Sequence, residues 1–118
     1  ERENVLPWLV KGLKMKAPGE RVRGAAIIEG WRRNAGKDLT EPRLRKLTKF
    51  IRVNSLVPLL LADEKGYYIA KNEKDVERFI SSMQAQIESH EQVIKALKLQ
   101  LYEKLTNTVP AKAAEELH

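Results

Sequence analysis

Four cations fall within the eight residues from Arg45 to Arg52, inside the stretch TEPRLRKLTKFIRVNS that runs from Thr40 to Ser55. Wound as a helix at about 100° per residue, Arg45, Lys46, Lys49 and Arg52 gather on one side. Leu44, Leu47 and Ile51 share a narrow arc on the other, with Thr48 and Asn54 at its margins. Arg43 sits at the edge of the cationic side, near the helix start. The chemistry on offer is recognition of a polyanion. A guanidinium can make paired hydrogen bonds to a planar acceptor such as the edge of guanine, whereas an ammonium is a point charge suited to phosphate. Arg45 is therefore expected at base edges, Lys46, Lys49 and Arg52 mainly at backbone phosphates, and Arg43 at either. The bland alternative is a solvated helix face, which is what most charge runs are.

A second candidate lies in the turn DEKG, where Lys65 would sit at a hairpin tip within reach of a phosphate or a minor groove, or would simply solubilise the turn. Lys71 could assist from the hairpin base. Tyr67 and Tyr68 follow at once, and successive strand residues face opposite ways, so one tyrosine belongs in a core and the other is partly exposed.

A third pattern is apolar. From Val76 onward, Ile80, Met83, Ile87, His90, Ile94, Leu97 and Leu101 recur at alternating steps of four and three. This is a heptad seam over about four heptads, with Ile80, Ile87, Ile94 and Leu101 at position a and Val76, Met83, His90 and Leu97 at position d. A seam of this length needs a partner to cover it, and a second copy of the chain is the simplest. Phe79 and Val93 broaden the stripe, so a helix bundle or a fold-back also fits. His90 is the polar seam member. It lacks companion ligands for a metal, so its expected role is to set register, and its protonation would bring like charges together in a symmetric pair.

The elements that must carry these residues follow from helix and strand signals. Residues 4–16 read as a first helix with Asn4 as cap, Pro7 in the first turn and Leu6, Leu9, Val10 and Leu13 at helical spacing. Ala17-Pro18-Gly19 ends it. Glu20–Arg23 is a short extended stretch through Val22, flanked by Arg21 and Arg23. Gly24–Asn34 is a second helix with Ala26, Ile27, Gly30 and Trp31 on its buried face, Arg32 and Arg33 at its end, and Gly36 placed to close it in a left-handed conformation. Thr40 caps the cationic helix, with Glu41 and Pro42 in its first turn. Val57–Ala62 and Tyr67–Ala70 read as two strands, with Pro58 on an unpaired side and Gly66 supplying a positive φ. Asn72 caps a last helix that runs without Gly or Pro to about Leu105, and Val109-Pro110 opens a frayed tail.

Charge follows this division. The 118 residues carry a net charge of +6. Through Lys71 there are 16 basic and 8 acidic residues, and thereafter 6 and 8, so the first part holds +8 and the rest −2. A basic domain with a nearly neutral extension suits a polyanionic partner. The absence of cysteine rules out disulfides, thiolate zinc and a cysteine nucleophile, and fits a reducing cytoplasmic compartment. No apolar run approaches the roughly 20 residues that span a bilayer, so no membrane partner is expected. Paired acids, a Ser-His-Asp set, a glycine-rich phosphate loop and metal-ligand spacing are all missing from the pattern. Asp63-Glu64 on a turn is a solvated pair. The chain is expected to be neither an enzyme nor a cofactor or small-molecule binder.

The order helix, short strand, helix, turn, helix, hairpin, long helix, together with residues 22–70, VRGAAIIEGWRRNAGKDLTEPRLRKLTKFIRVNSLVPLLLADEKGYYIA, resembles the winged helix-turn-helix DNA-binding domains of bacterial phage and mobile-element proteins. There a basic helix ending near Arg-x-Asn leads to a strand, a tight turn and Lys-Gly-Tyr-Tyr. The resemblance implies a mainly α fold with a small β-hairpin: a winged domain over residues 1–72, a long oligomerisation helix over 73–106 and a frayed tail over 107–118. Gly24–Asn34 would support, Thr40–Ser55 would enter the major groove and residues 57–70 would form the wing. The implied partner is double-stranded DNA, bound by a homodimer or a higher oligomer, in transcription regulation or replication initiation. The chain lacks the aromatic strands and clamps of RNA modules. Because winged helices also serve as protein-interaction modules, an assembly role without sequence-specific DNA binding is the competing expectation.

Overall fold

The computed structural model describes residues 2–106, with side chains from Val5 onward; the tail expected over 107–118 and His118 lie outside the described residues. The chain is mainly helical, with a two-stranded antiparallel hairpin and a long C-terminal helix. In order these are α1 (Arg2–Lys14), α2 (Gly24–Ala35), α3 (Glu41–Val53), β1 (Leu60–Asp63), β2 (Gly66–Ile69) and α4 (Glu73–Thr106). α1 starts earlier than its expected cap, so Asn4 lies inside the helix and Pro7 falls beyond the first turn, where its missing N–H forgoes one intrahelical hydrogen bond.

Three helices converge on one apolar centre. Val5, Leu9 and Leu13 of α1 bury one stripe, and Ile27 and Trp31 of α2 and Leu44, Leu47 and Ile51 of α3 close over it with Leu39, Val57 and Leu60. Each such side chain contributes about 1.5–3 kcal/mol by leaving water. α1 meets α2 through the Trp8 ring, which lies over Gly30. A Cβ there would sit 3.5 Å from the Trp8 ring, and Trp8 packs tilted against Trp31 with centroids 5.2 Å apart. Ala26, expected inside, is exposed. Gly36 closes α2 with φ 67° and donates its N–H to the Arg32 carbonyl.

α3 begins on Thr40, whose hydroxyl accepts from the Arg43 N–H. It ends in a Schellman arrangement. The Leu56 N–H reaches the Ile51 carbonyl, the Ser55 N–H reaches the Arg52 carbonyl, and Ser55 takes the left-handed conformation at φ 53°, satisfying carbonyls that the helix end would leave bare. Leu59 is also left-handed, at φ 60°. The chain therefore turns through Val57-Pro58 instead of extending, and the first strand starts at Leu60, three residues later than the apolar run suggests. That removes Pro58 from the ladder altogether.

In the hairpin, Leu60 pairs with Ile69, Leu61 with Tyr68, Ala62 with Tyr67 and Asp63 with Gly66. Glu64-Lys65 forms the turn, and Gly66 takes φ 125°. Val22 adds a third, one-residue rung: its N–H and carbonyl both bond Tyr67 at 2.9 Å. A Cβ on Gly66 would stand 2.4 Å from the Val22 carbonyl oxygen, so glycine is required on both counts. The sheet serves two cores by alternation. Leu60, Tyr67 and Ile69 face the helical core, while Leu61 and Tyr68, with Ala70, face a smaller cluster completed by Val76 and Phe79 of α4.

Asn72 starts α4, its Oδ1 accepting from the Asp75 N–H while the Asp75 carboxylate accepts from the Lys71 N–H. This reciprocal cap explains why Asp75 is buried. Contacts divide the chain into a unit that ends at Phe79 and another that begins at Ile80. The first turns of α4 thus belong with the sheet, through Val76 and Phe79. Ile80, the next seam residue, is exposed. Among the described residues no helix is long and apolar enough to cross a membrane.

Candidate nucleic-acid interface

The face of α3 opposite its buried stripe is set by periodicity alone. Leu44, Leu47, Thr48 and Ile51 point inward, and Arg43, Arg45, Lys46 and Lys49 are exposed on the remaining surface. Among the described residues, Arg45, Lys46 and Lys49 form no side-chain hydrogen bond or ion pair with one another or with a carboxylate. Their full charge is presented to solvent.

Arg52 departs from the expected face. Its Nε donates to the Leu60 carbonyl at 2.8 Å, and its guanidinium carbon lies 5.3 Å from the Phe79 ring centroid, in cation–π range. Its Nη2 is buried without a hydrogen-bond partner among the described residues. Burial pushes the guanidinium below its ordinary value, yet an arginine keeps its proton. Arg45 and Arg52 project within about 20° of each other around α3, but Arg52 lies in the last turn, where Leu60 of the hairpin and Phe79 of α4 cover it. It braces α3 instead of facing outward.

The exposed arc contains two residues that charge reading passed over. Val53, 72% exposed, falls between Lys46 and Lys49 in helical angle, and the half-buried Phe50 lies beyond Lys46. With Asn54 these four line a shallow depression of about 290 Å³. Their signal was present in the sequence as the gaps left between the cations of one face.

The hairpin stands beside the start of α3. A groove of about 240 Å³ is lined by Glu41, Leu44 and Arg45 of α3, Arg23 and Gly24 at the start of α2, and Ala62, Asp63, Glu64, Gly66 and Tyr67 of the hairpin. Lys65, at the tip, is exposed, and its backbone N–H is held by the Asp63 carboxylate. The groove mixes signs, with Arg23 and Arg45 facing Glu41, Asp63 and Glu64. The cationic surface clear of carboxylates is the Lys46 and Lys49 part of α3.

Other basic residues are committed elsewhere. Arg21 pairs with Asp63 at 2.7 Å, donates to the Gly19 carbonyl and stacks 3.7 Å over the Tyr68 ring. The shared hydrogen bond raises the Arg21 guanidinium above its usual value and holds the Asp63 carboxyl below its own, the Lys65 N–H adding to the latter. Arg32 pairs with Glu29 and Asp38. The Lys71 stem lies over Gly19, tying the hairpin base to the first turn.

Along α4, Ile80, Met83, Ile87, Ile94, Leu97 and Leu101 are all exposed in the single chain, and His90 is exposed among them. Val93, Leu99, Tyr102 and Leu105 add further exposed apolar surface. Among the described residues no group of three or more His, Cys, Asp or Glu side chains could hold a metal ion. No family model, curated protein or solved structure matches the chain.

Proposed function

We propose that the chain is a winged helix-turn-helix DNA-binding protein, with α2 as support, α3 as the helix that enters the major groove, the β1–β2 hairpin as wing and α4 as the dimerising element. The observation that carries this reading is the exposed, unpaired set Arg45, Lys46 and Lys49 on the side of α3 opposite its buried stripe. Support comes from the hairpin beside the start of that helix and from the extra rung at Val22. Lys46 and Lys49 approach phosphates, Arg45 reaches base edges, and Lys65 meets the backbone or minor groove. Arg43, in the leading turn of α3, is assigned either contact. The use implied by the family resemblance is control of transcription or of replication initiation in a phage or mobile element.

A second reading is a protein-interaction module in a larger assembly. It is favoured by the carboxylates of Glu41, Asp63 and Glu64 lining the groove beside Arg45, and by Val53 and Phe50 on the cationic face. Duplex-library selection at near-physiological salt, with mass measured by light scattering, separates the two. An enriched paired half-site and a dimeric mass support the first reading. Weak, featureless, sequence-independent binding sinks it in favour of the second.

A further inference from the structure

We propose that Val53 reads the 5-methyl group of a thymine in the major groove, a contact that selects an A·T pair about three base pairs from the base read by Arg45. The proposal rests on the DNA reading above and adds a residue that sets its specificity.

Val53 is an apolar residue where no core reaches, 72% exposed. The buried residues of α3 are Leu44, Leu47, Thr48 and Ile51. Stepping at about 100° per residue puts Val53 within about 10° of the direction opposite their mean. It therefore stands at the middle of the exposed face and not at its margin. What surrounds it turns away. The Asn54 amide donates back to the Phe50 carbonyl at 2.9 Å, and the chain beyond α3 heads inward to the buried Val57. Arg52, one residue earlier, is held on the covered edge by the Leu60 carbonyl.

The neighbours of Val53 narrow down what can cover it. Arg45, Lys49 and Val53 are four residues apart and form one ridge along the helix surface. Lys46 and Lys49 flank the depression that Val53 shares with Phe50, and among the described residues neither ammonium pairs with a carboxylate. Lysine is depleted where protein meets protein and suits the phosphates that border a groove. Inside the major groove the base edges offer donors, acceptors and one apolar group, the C5 methyl of thymine. An apolar side chain centred on a helix face that enters the groove has that methyl as its complement. Val53 lies about 12 Å along the axis from Arg45, on the order of three base pairs at about 3.4 Å each. The two side chains thus read separate positions.

Deoxyuridine differs from thymidine by that methyl alone, so it isolates the contact. A duplex recovered by library selection is resynthesised with each thymine replaced in turn by deoxyuridine, and binding to the full chain is measured at fixed salt. The wild type is expected to lose about 4-fold in affinity at one thymine, about three base pairs from the position where Arg45→Ala relaxes preference. Val53→Ser, whose helix propensity is close to that of valine, should bind the thymine duplex about 4-fold more weakly and should not distinguish it from the deoxyuridine form. Val53→Ile should keep the distinction. A wild type indifferent to every replacement overturns the proposal while leaving duplex binding intact, and returns Val53 to the protein-interaction reading. Sensitivity that persists in Val53→Ser assigns the methyl to another residue and overturns it as well. A library that yields no site overturns the DNA reading and this proposal together.

Discussion

Arg52 holds the Leu60 carbonyl with its Nε at 2.8 Å. That one bond ties the last turn of α3 to the first residue of the hairpin. An arginine at the end of a cationic run is thus a brace between two elements, while Arg45, Lys46 and Lys49 of the same helix stay exposed.

The brace and the exposed face should separate by mutation. Arg52→Ala removes a charged hydrogen bond to a buried carbonyl and is expected to lower stability by about 2 kcal/mol, read from urea unfolding. Lys49→Ala should change stability by less than about 0.5 kcal/mol, and should weaken duplex binding while reducing its salt slope by about one. Equal salt slopes for wild type and Lys49→Ala would remove Lys49 from the interface.

Arg45→Ala tests base reading. Its expected effect is a loss of about 1–3 kcal/mol of discrimination at one base-pair position, with smaller change at non-specific duplex. If the selected site is recovered unaltered by the Arg45→Ala variant, Arg45 does not read sequence.

Gly66 and Gly12 make a matched pair for the backbone. Gly66→Ala drives a Cβ into the Val22 carbonyl at a φ of 125°, for an expected loss on the order of 3 kcal/mol. Gly12→Ala has nothing within 4 Å of the new methyl and should stabilise α1 by up to about 1 kcal/mol. Thermal melts that rank the two variants in the reverse order would contradict the placement of the hairpin against Val22.

Asp63 makes stability depend on acid. Its folded-state carboxyl is depressed, first by the Arg21 hydrogen bond and then by the Lys65 N–H. The contribution is therefore complete above the ordinary aspartate value of about 3.9 and is lost as pH falls through and below it. Asp63→Asn should be less stable than wild type near pH 6, and the two should converge as pH falls below that value. The difference is expected to be modest because both side chains are part-exposed and screened. A gap between wild type and Asp63→Asn that persisted unchanged into acid would disprove the pairing as its source.

The seam makes a prediction of its own. Ile87→Asp or Ile94→Asp places a carboxylate at a position that must be dry in any paired α4, and each should turn the proposed dimer into a monomer by light scattering. An unaltered mass for both variants would show that the seam is not the contact.

Much of the framework was legible in the residues because it depends on short-range geometry. The Thr40 cap, the inward stripe of Leu44, Leu47 and Ile51, the left-handed Gly36 and Gly66, and the alternation of Tyr67 and Tyr68 follow from a 3.6-residue or 2-residue period and from local sterics. The start of the first strand was not legible. Apolar character in Val57–Ala62 looks the same whether the chain extends or turns, and it turns through the helix-end bonds at Ser55 and Leu56 and the left-handed Leu59.

The sequence by itself determined which residues share a face of α3 and of α4, because the helical period settles that before anything packs. Only the tertiary structure decided which of the shared cations remain outside. Arg52 and Lys49 are separated by a small rotation, and what divides them is the hairpin and the Phe79 turn lying over one edge. That cover is built by residues far apart in the chain, and no local pattern encodes how a long side chain will choose between water and a buried carbonyl.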